Sequence, residues 1–421
     1  MAHLTVRSGY KKLEERLNLF PQGAPPSESL YKILSLLFRE NEANLVSQLP
    51  IRPFTVKKAA SIWKKSEAEA HKILDDLASR ALLLDIEQEG RQHYVLPPPM
   101  AGFFEFAFMR IRGDLDQKLL SELFHQYINV EEDFIKDLFL GSETRLGRVF
   151  VQEAVLSNDN ALHILDYERA SHVIESAKTI AVGLCYCRHK MEHLGQNCSA
   201  PMNNCMTFGN TASSLIKHGH ARAIYSSEGL ELLAEAYAHN LVQCGENVRE
   251  DVSFLCNCCG CCCEGLIAVR KFGLLQPIHT TNYLPTVNEK ACNGCGRCAK
   301  ACPIEAIQMT SHPSEKVKKA KIDETLCLGC AVCIRLCPLK CLSLKERPQR
   351  IITPVNSAHR IVLAALERGR LQNLIFDNQA LQSHRAMAAI LSAILQLPPV
   401  KRLMAKEQLR SRYLERLLKG T

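Results

Sequence analysis

Apolar positions recur at helical spacing early in the chain. Leu30, Ile33, Leu34, Leu37 and Phe38 fall on one helical face, and a second helical run extends from Val56 to Trp63. Ser66 followed by Glu69 reads as a capping box that opens a further helix, with Ala70, Ile73, Leu74 and Leu77 turned inward. The period then changes. Leu82–Glu87 and Gln92–Leu96 flank Gly90 as two short strands around a turn, closed by Pro97-Pro98-Pro99. Residues 100–180 are mainly helical in pattern and carry no chemical motif. Mixed patterns follow, with an apolar helical stretch from Gly265 to Leu275. Beyond Ile351 the pattern is helical again, broken at Pro398-Pro399.

Pro- and Gly-rich punctuation sets the expected boundaries. Residues 1–28 form an N-terminal arm, 29–99 the helices closed by a hairpin, and 100–180 a helical linker. Residues 181–285 form a cysteine-rich domain, 286–345 a tandem-repeat module, and 346–421 a C-terminal helical region with a basic tail. The expected fold class is α+β and multidomain, since 421 residues exceed one ordinary core.

Charge changes this picture only at one end. The net charge is +8, and residues 401–419 hold Lys401, Arg402, Lys406, Arg410, Arg412, Arg416 and Lys419 against Glu407 and Glu415. That basic helix, with Leu403, Leu409, Tyr413, Leu414, Leu417 and Leu418 alongside, is expected to pack on its own protein or to dock on an acidic partner, an anionic membrane surface or nucleic acid. The longest apolar stretch, Ala386 to Leu397, is too short to span a bilayer, and the first residues lack the apolar core of a signal peptide. A cytoplasmic protein is expected.

Cysteine is the outlier, at 20 residues. A run such as Cys256-Asn257-Cys258-Cys259-Gly260-Cys261-Cys262-Cys263 suits disulfides poorly, because sequence neighbours rarely meet the required geometry. Thiolates held for metal in a reducing compartment account for it better. Two segments share one spacing: Cys292-x2-Cys295-x2-Cys298-x3-Cys302-Pro303 and Cys327-x2-Cys330-x2-Cys333-x3-Cys337-Pro338. Three cysteines two residues apart wrap the chain around three corners of an iron–sulfur cube, and the fourth reaches the neighbouring cluster. Gly294, Gly296 and Gly329 let the backbone pass close to the cube. The proline is expected to direct the chain into a helix. Zinc sites usually come as separated Cys-x2-Cys pairs, which this repeat does not match.

Over these roughly 60 residues the chain resembles the bacterial two-[4Fe–4S] ferredoxin family. The resemblance implies two [4Fe–4S] clusters, one held by Cys292, Cys295, Cys298 and Cys337, the other by Cys327, Cys330, Cys333 and Cys302. It also implies electron transfer with a redox protein partner. Arg297 and Lys300 add positive charge beside the first cluster, which would raise its potential modestly. Cys341 lies outside the eight positions and is expected to be a core residue in a helix after the motif.

Eleven further cysteines exceed what packing would use. Apart from Cys244, they are Cys185, Cys187, Cys198, Cys205, Cys256, Cys258, Cys259, Cys261, Cys262 and Cys263. Three readings stay open: a third iron–sulfur centre built by Cys185 and Cys187 with thiols of the 256–263 run, a zinc site using Cys198 and Cys205, or a metal-free redox thiol pair. His189, His193, His218 and His220 are candidate nitrogen ligands. The Cys-Cys-Gly-Cys run resembles the cysteine-rich CCG domains of heterodisulfide-reductase-type enzymes, which space their cysteines differently.

The order of elements over 29–99 resembles a winged helix-turn-helix, and the whole chain resembles 4Fe-4S-binding proteins that carry such a region. Its recognition-helix position carries Glu67, Glu69, Asp75 and Asp76, which would repel a duplex, so nucleic acid is not the expected partner. With no dinucleotide fingerprint and no P-loop, no nucleotide signature is present. The expected function is an iron–sulfur electron carrier, or the electron-input subunit of a reductase. The alternative is a redox-responsive regulator that uses the winged-helix-like region to bind DNA or protein.

Overall fold

The structure is a computed structural model describing residues 8–155, 164–273, 277–311, 317–351, 353–377 and 381–396. The basic segment 401–419 lies outside the described residues. The chain divides into two units, one of residues 1–144, 213–220 and 356–421, the other of residues 145–212 and 221–355.

In the first unit, Ser27 caps the helix Glu28–Leu37 by accepting a hydrogen bond from the Leu30 amide, and that helix buries Leu30, Ile33, Leu34 and Leu37. Thr55 caps Val56–Trp63, and Ser66 with Glu69 forms the capping box of Glu67–Ser79. Strands β1 (Leu84–Gln88) and β2 (Arg91–Val95) pair antiparallel across Glu89 and Gly90, both at positive φ, as a tight hairpin requires.

The described part of the N-terminal arm packs within the first unit. Ser8–Leu17 is a helix in which Tyr10, Leu13 and Leu17 are buried at helical spacing, and Arg16 donates to the Leu49 carbonyl at 2.8 Å. Residues 100–180 are not one helical linker. Phe104 packs against Phe124 and Phe134 in the core of the first unit, and the chain passes to the second unit at Thr144. Ser213–His220 stay with the first unit because Asp85 of β1, buried there, accepts from Ser214 Oγ at 2.6 Å and from Lys217 Nζ.

The second unit carries a six-stranded sheet of β3 (Gly147–Val149), β4 (Ile180–Leu184), β5 (Asn203–Phe208), β6 (Arg222–Ile224), β7 (Val242–Glu246) and β8 (Phe254–Cys258). Its order is β3-β7-β8-β5-β4-β6, and each described pairing is antiparallel. Alternation divides the faces chemically. Val182, Met206 and Leu255 build an apolar core with Ile174 and Leu233 of two helices. Cys205, Cys244, Cys256 and Cys258 fall on the alternate positions, with Cys244 opposite Cys256 across the β7–β8 pair. One face is hydrophobic; the other bears thiols.

The tandem repeat adds two two-stranded antiparallel sheets to this unit. β9 (Tyr283–Val287) pairs with β12 (Leu342–Glu346), and β10 (Ile307–Thr310) with β11 (Lys319–Ile322). Each cysteine loop leads into a short helix, Arg297–Ala301 and Val332–Arg335. The prolines do not start helices. Pro303 and Pro338 open turns in which Glu305 (φ 60°) and Lys340 (φ 50°) are left-handed, which stops helix propagation and feeds β10 and β12.

Candidate metal centres

The repeat loops approach other backbone closely. A Cβ on Gly294 would stand 2.2 Å from the Lys318 carbonyl oxygen, and one on Gly329 would stand 2.1 Å from Thr281 Oγ1. Both glycines have φ of 73°, so close approach and backbone conformation require the same residue. Arg297 and Lys300 are exposed on the helix Arg297–Ala301, between Cys295 and Cys302 of the first repeat.

The fold crosses the two repeats. Cys292, Cys295 and Cys298 of the first line one cavity with Cys337 of the second, and Cys341 joins them there. Cys302 of the first lies among Cys327, Cys330 and Cys333 of the second, near enough for their charges to interact. The donors suit soft iron: two sets of four thiols, buried or half-buried except for the exposed Cys295, with a backbone amide, that of Ala306, donating to Cys302 Sγ at 3.3 Å.

Burial disfavours the thiolate at five of these positions. Burial pushes Cys327 up to about 11 and drives Cys330 and Cys333 further up. Burial also raises Cys298 and Cys302. Iron binding therefore has to displace protons, as ligation by buried thiols requires. Cys337 differs. Burial acts on it too, but hydrogen bonding to Cys341 Sγ, at 3.3 Å, and to backbone amides holds it below the ordinary thiol value. Cys341 is buried as expected, though it precedes β12 and is not helical; the sequence spacing hid its place beside Cys337.

Outside the repeat, the thiols form two groups. In the first, hydrogen bonds run from Cys185 to Cys187, to Cys263, to Cys258, and from there to Cys244 and Cys256. Cys185 caps the helix Tyr186–His193, and Cys263 caps Glu264–Phe272. The hydrogen bond to Cys187 and burial push Cys185 well above the ordinary thiol value. Cys187 receives a lowering bond from Cys185, yet Cys263 and burial still carry it well up. Cys244 is the member that sequence reasoning set aside. Only the β7–β8 register brings it opposite Cys256.

The second group holds Cys198, Cys259, Cys261 and Cys262, whose sulfurs all lie within 4.8 Å of one another. Hydrogen bonding from Cys262 and the nearby Arg188 guanidinium bring Cys259 down to about 4, against the pull of burial. Cys205 is not in this four-sulfur group; it sits on β5 opposite Gly183. The candidate histidines have other partners. His218 Nε2 lies 3.1 Å from Asp85, His220 Nε2 lies 2.9 Å from the Ser79 carbonyl, and His189 packs on His193 with ring centroids 4.9 Å apart.

The two parts of the thiol chemistry touch within this unit. The turn that carries Cys259 and Cys261 packs on the residue after Cys302, where a Cβ on Gly260 would meet the Pro303 carbonyl oxygen at 2.2 Å. Cys244 lies within electrostatic range of Cys330. The Gln152 amide donates to the Cys330 carbonyl at 3.1 Å, while Arg335 Nε donates to the Gln152 side chain at 3.1 Å.

Paired thiol quartets of this kind define an iron–sulfur protein. More specifically, residues 291–341 match the family model of the 4Fe-4S dicluster domain. No curated protein and no solved structure matches the chain. Among the described residues, no helix is long and apolar enough to cross a membrane.

Proposed function

We propose that the chain is an iron–sulfur electron-transfer protein, or the electron-input part of a reductase, that passes electrons between its dicluster module and the thiol face of the six-stranded sheet. One cluster is held by Cys292, Cys295, Cys298 and Cys337, the other by Cys327, Cys330, Cys333 and Cys302. The clusters supply one-electron carriage without bond making. The chain's own residues bring the thiol face next to one module quartet.

The observation that carries this reading is the proximity of Cys244, on the thiol face, to Cys330 of the module, with the contact of Gly260 against Pro303 holding the two parts together. The thiols of Cys185, Cys187, Cys258 and Cys263 form the third iron–sulfur centre, and their positions at two helix starts and a strand end hold them in place. A redox partner exchanges electrons at one end of this route.

Anaerobic iron and sulfide determination tests it. Two cubes require about eight irons per chain, and a third about twelve. After dithionite reduction, Cys258→Ser is expected to retain the eight and to slow reoxidation by an external acceptor at least about tenfold, which is roughly 1.4 kcal/mol in barrier. Wild-type iron of only eight, with unchanged reoxidation in Cys258→Ser, overturns the third centre.

A further inference from the structure

Four sulfurs outside the dicluster module converge more tightly than the others. Cys198 to Cys259 is 3.6 Å, Cys261 to Cys262 is 3.7 Å, and Cys262 to Cys198 is 4.0 Å. A tetrahedral ion with metal–sulfur bonds of about 2.3 Å sets its sulfurs roughly 3.8 Å apart. A cubane needs more room, because its thiolates sit on different irons and the iron–iron edge adds to their separation. The site is sized for one ion.

Local structure explains the convergence. Three of the sulfurs come from the turn between β8 and the helix Glu264–Phe272, and Gly260 lets that turn lie flat against Pro303. The fourth, Cys198, comes from the loop between the helix Tyr186–His193 and β5. Arg188 fixes the two pieces together. Its guanidinium donates to the Pro201 carbonyl at 2.7 Å, to Asn204 Oδ1 at 2.8 Å and to the Asn257 carbonyl.

Arg188 is fully buried, and the oxygen atoms it meets there are neutral. A buried cation is costly unless an anion stands close. The sulfurs of Cys185, Cys259 and Cys258 lie within electrostatic range of it, and Cys259 is also hydrogen-bonded to it. Four thiolates around one divalent ion carry net negative charge, which is the complement a buried guanidinium needs.

We propose that Cys198, Cys259, Cys261 and Cys262 hold a single zinc ion, closed by four thiolates, that fastens the 194–202 loop to the 259–262 turn. Closed four-thiolate zinc sites are structural, and the role fits a loop with no regular secondary structure. The site is separate from the electron route above, which uses other thiols.

The test is metal analysis of the full chain, purified without oxygen from cells supplied with both iron and zinc. About one zinc per chain is expected. Cys261→Ser changes an exposed residue and should cut bound zinc at least about tenfold, leaving iron and sulfide unchanged. Cys198→Ser should do the same, whereas Cys205→Ser should keep the zinc. Protein grown with cobalt should show the visible bands of a tetrahedral thiolate site, and Cys261→Ser should lose them. One iron in place of zinc, or the loss of about four irons in Cys261→Ser, overturns the proposal. So does a wild-type chain that binds neither zinc nor cobalt. Because these readouts follow zinc and not electron flow, failure here leaves the electron-transfer reading standing, and the reverse holds.

Discussion

Lys190 and Glu264 form an ion pair inside the second unit, with side chains 0% and 3% exposed. Lys190 belongs to the helix that Cys185 caps, and Glu264 to the helix that Cys263 caps. The pair therefore sets the spacing of two helix starts that carry thiols. Removing one partner of such a pair leaves a charge in the interior, at a cost of about 3–5 kcal/mol. Lys190→Met should lower the anaerobic urea midpoint accordingly, and Lys190→Met with Glu264→Gln should recover part of the loss. Equal midpoints for the single and double variants would show that the charge pair is not what matters.

The crossing of the repeats makes a pairing prediction. Cys292→Ala and Cys337→Ala should each lose one cluster, about four irons, and leave the same residual electron-spin signal. Cys302→Ala and Cys330→Ala should share the other residual signal. The crossed assignment fails if Cys337→Ala instead gives the signal left by Cys327→Ala.

Two glycines with nearly equal backbone angles should respond differently. Gly90, at φ 71°, has open space where a side chain would go, so Gly90→Ala should cost only about 1 kcal/mol of conformational strain. Gly329, at φ 73°, has Thr281 Oγ1 2.1 Å from that position. Gly329→Ala should displace the Cys327–Cys333 loop and lose about four irons. Retention of full iron in Gly329→Ala would rule this out.

Acid should weaken the first unit through His220. Burial, with smaller contributions from Arg110 and Arg112, brings this histidine from 6.5 to about 4. Between those values the unfolded chain binds the proton and the folded chain does not, so stability falls as the pH drops through that window. A depression of this size corresponds to up to about 3 kcal/mol. His220→Gln should flatten the stability–pH slope between pH 6.5 and about 4, while His279, also held down to about 4 chiefly by burial, keeps a residual slope in the second unit. An unchanged slope in His220→Gln would assign the acid sensitivity elsewhere.

Local signals were legible in the sequence because local physics makes them. The Ser66–Glu69 cap, the hairpin around Gly90 and the helix before Phe38 depend on residues within a few positions of one another. The dicluster repeat was equally plain, since its spacing encodes a wrap around one object. The packing of Ser8–Leu17 was not legible, because a short helix preceding a proline-rich stretch buries itself only against distant partners, as Arg16 does against Leu49. Pro303 was misjudged because the left-handed residue that ends the turn, Glu305, carries no sequence mark.

By itself, then, the sequence determined the chemistry of the dicluster segment and the local caps and turns, since those interactions join residues close along the chain. Only the tertiary structure decided how the other eleven cysteines divide. Strand alternation and the β7–β8 register put Cys244 beside Cys258, and the turn after β8 gathers Cys259, Cys261 and Cys262 around Cys198. Those neighbours lie up to some sixty positions apart, and no spacing rule reaches that far. Long-range strand pairing and the buried Arg188 brought them together.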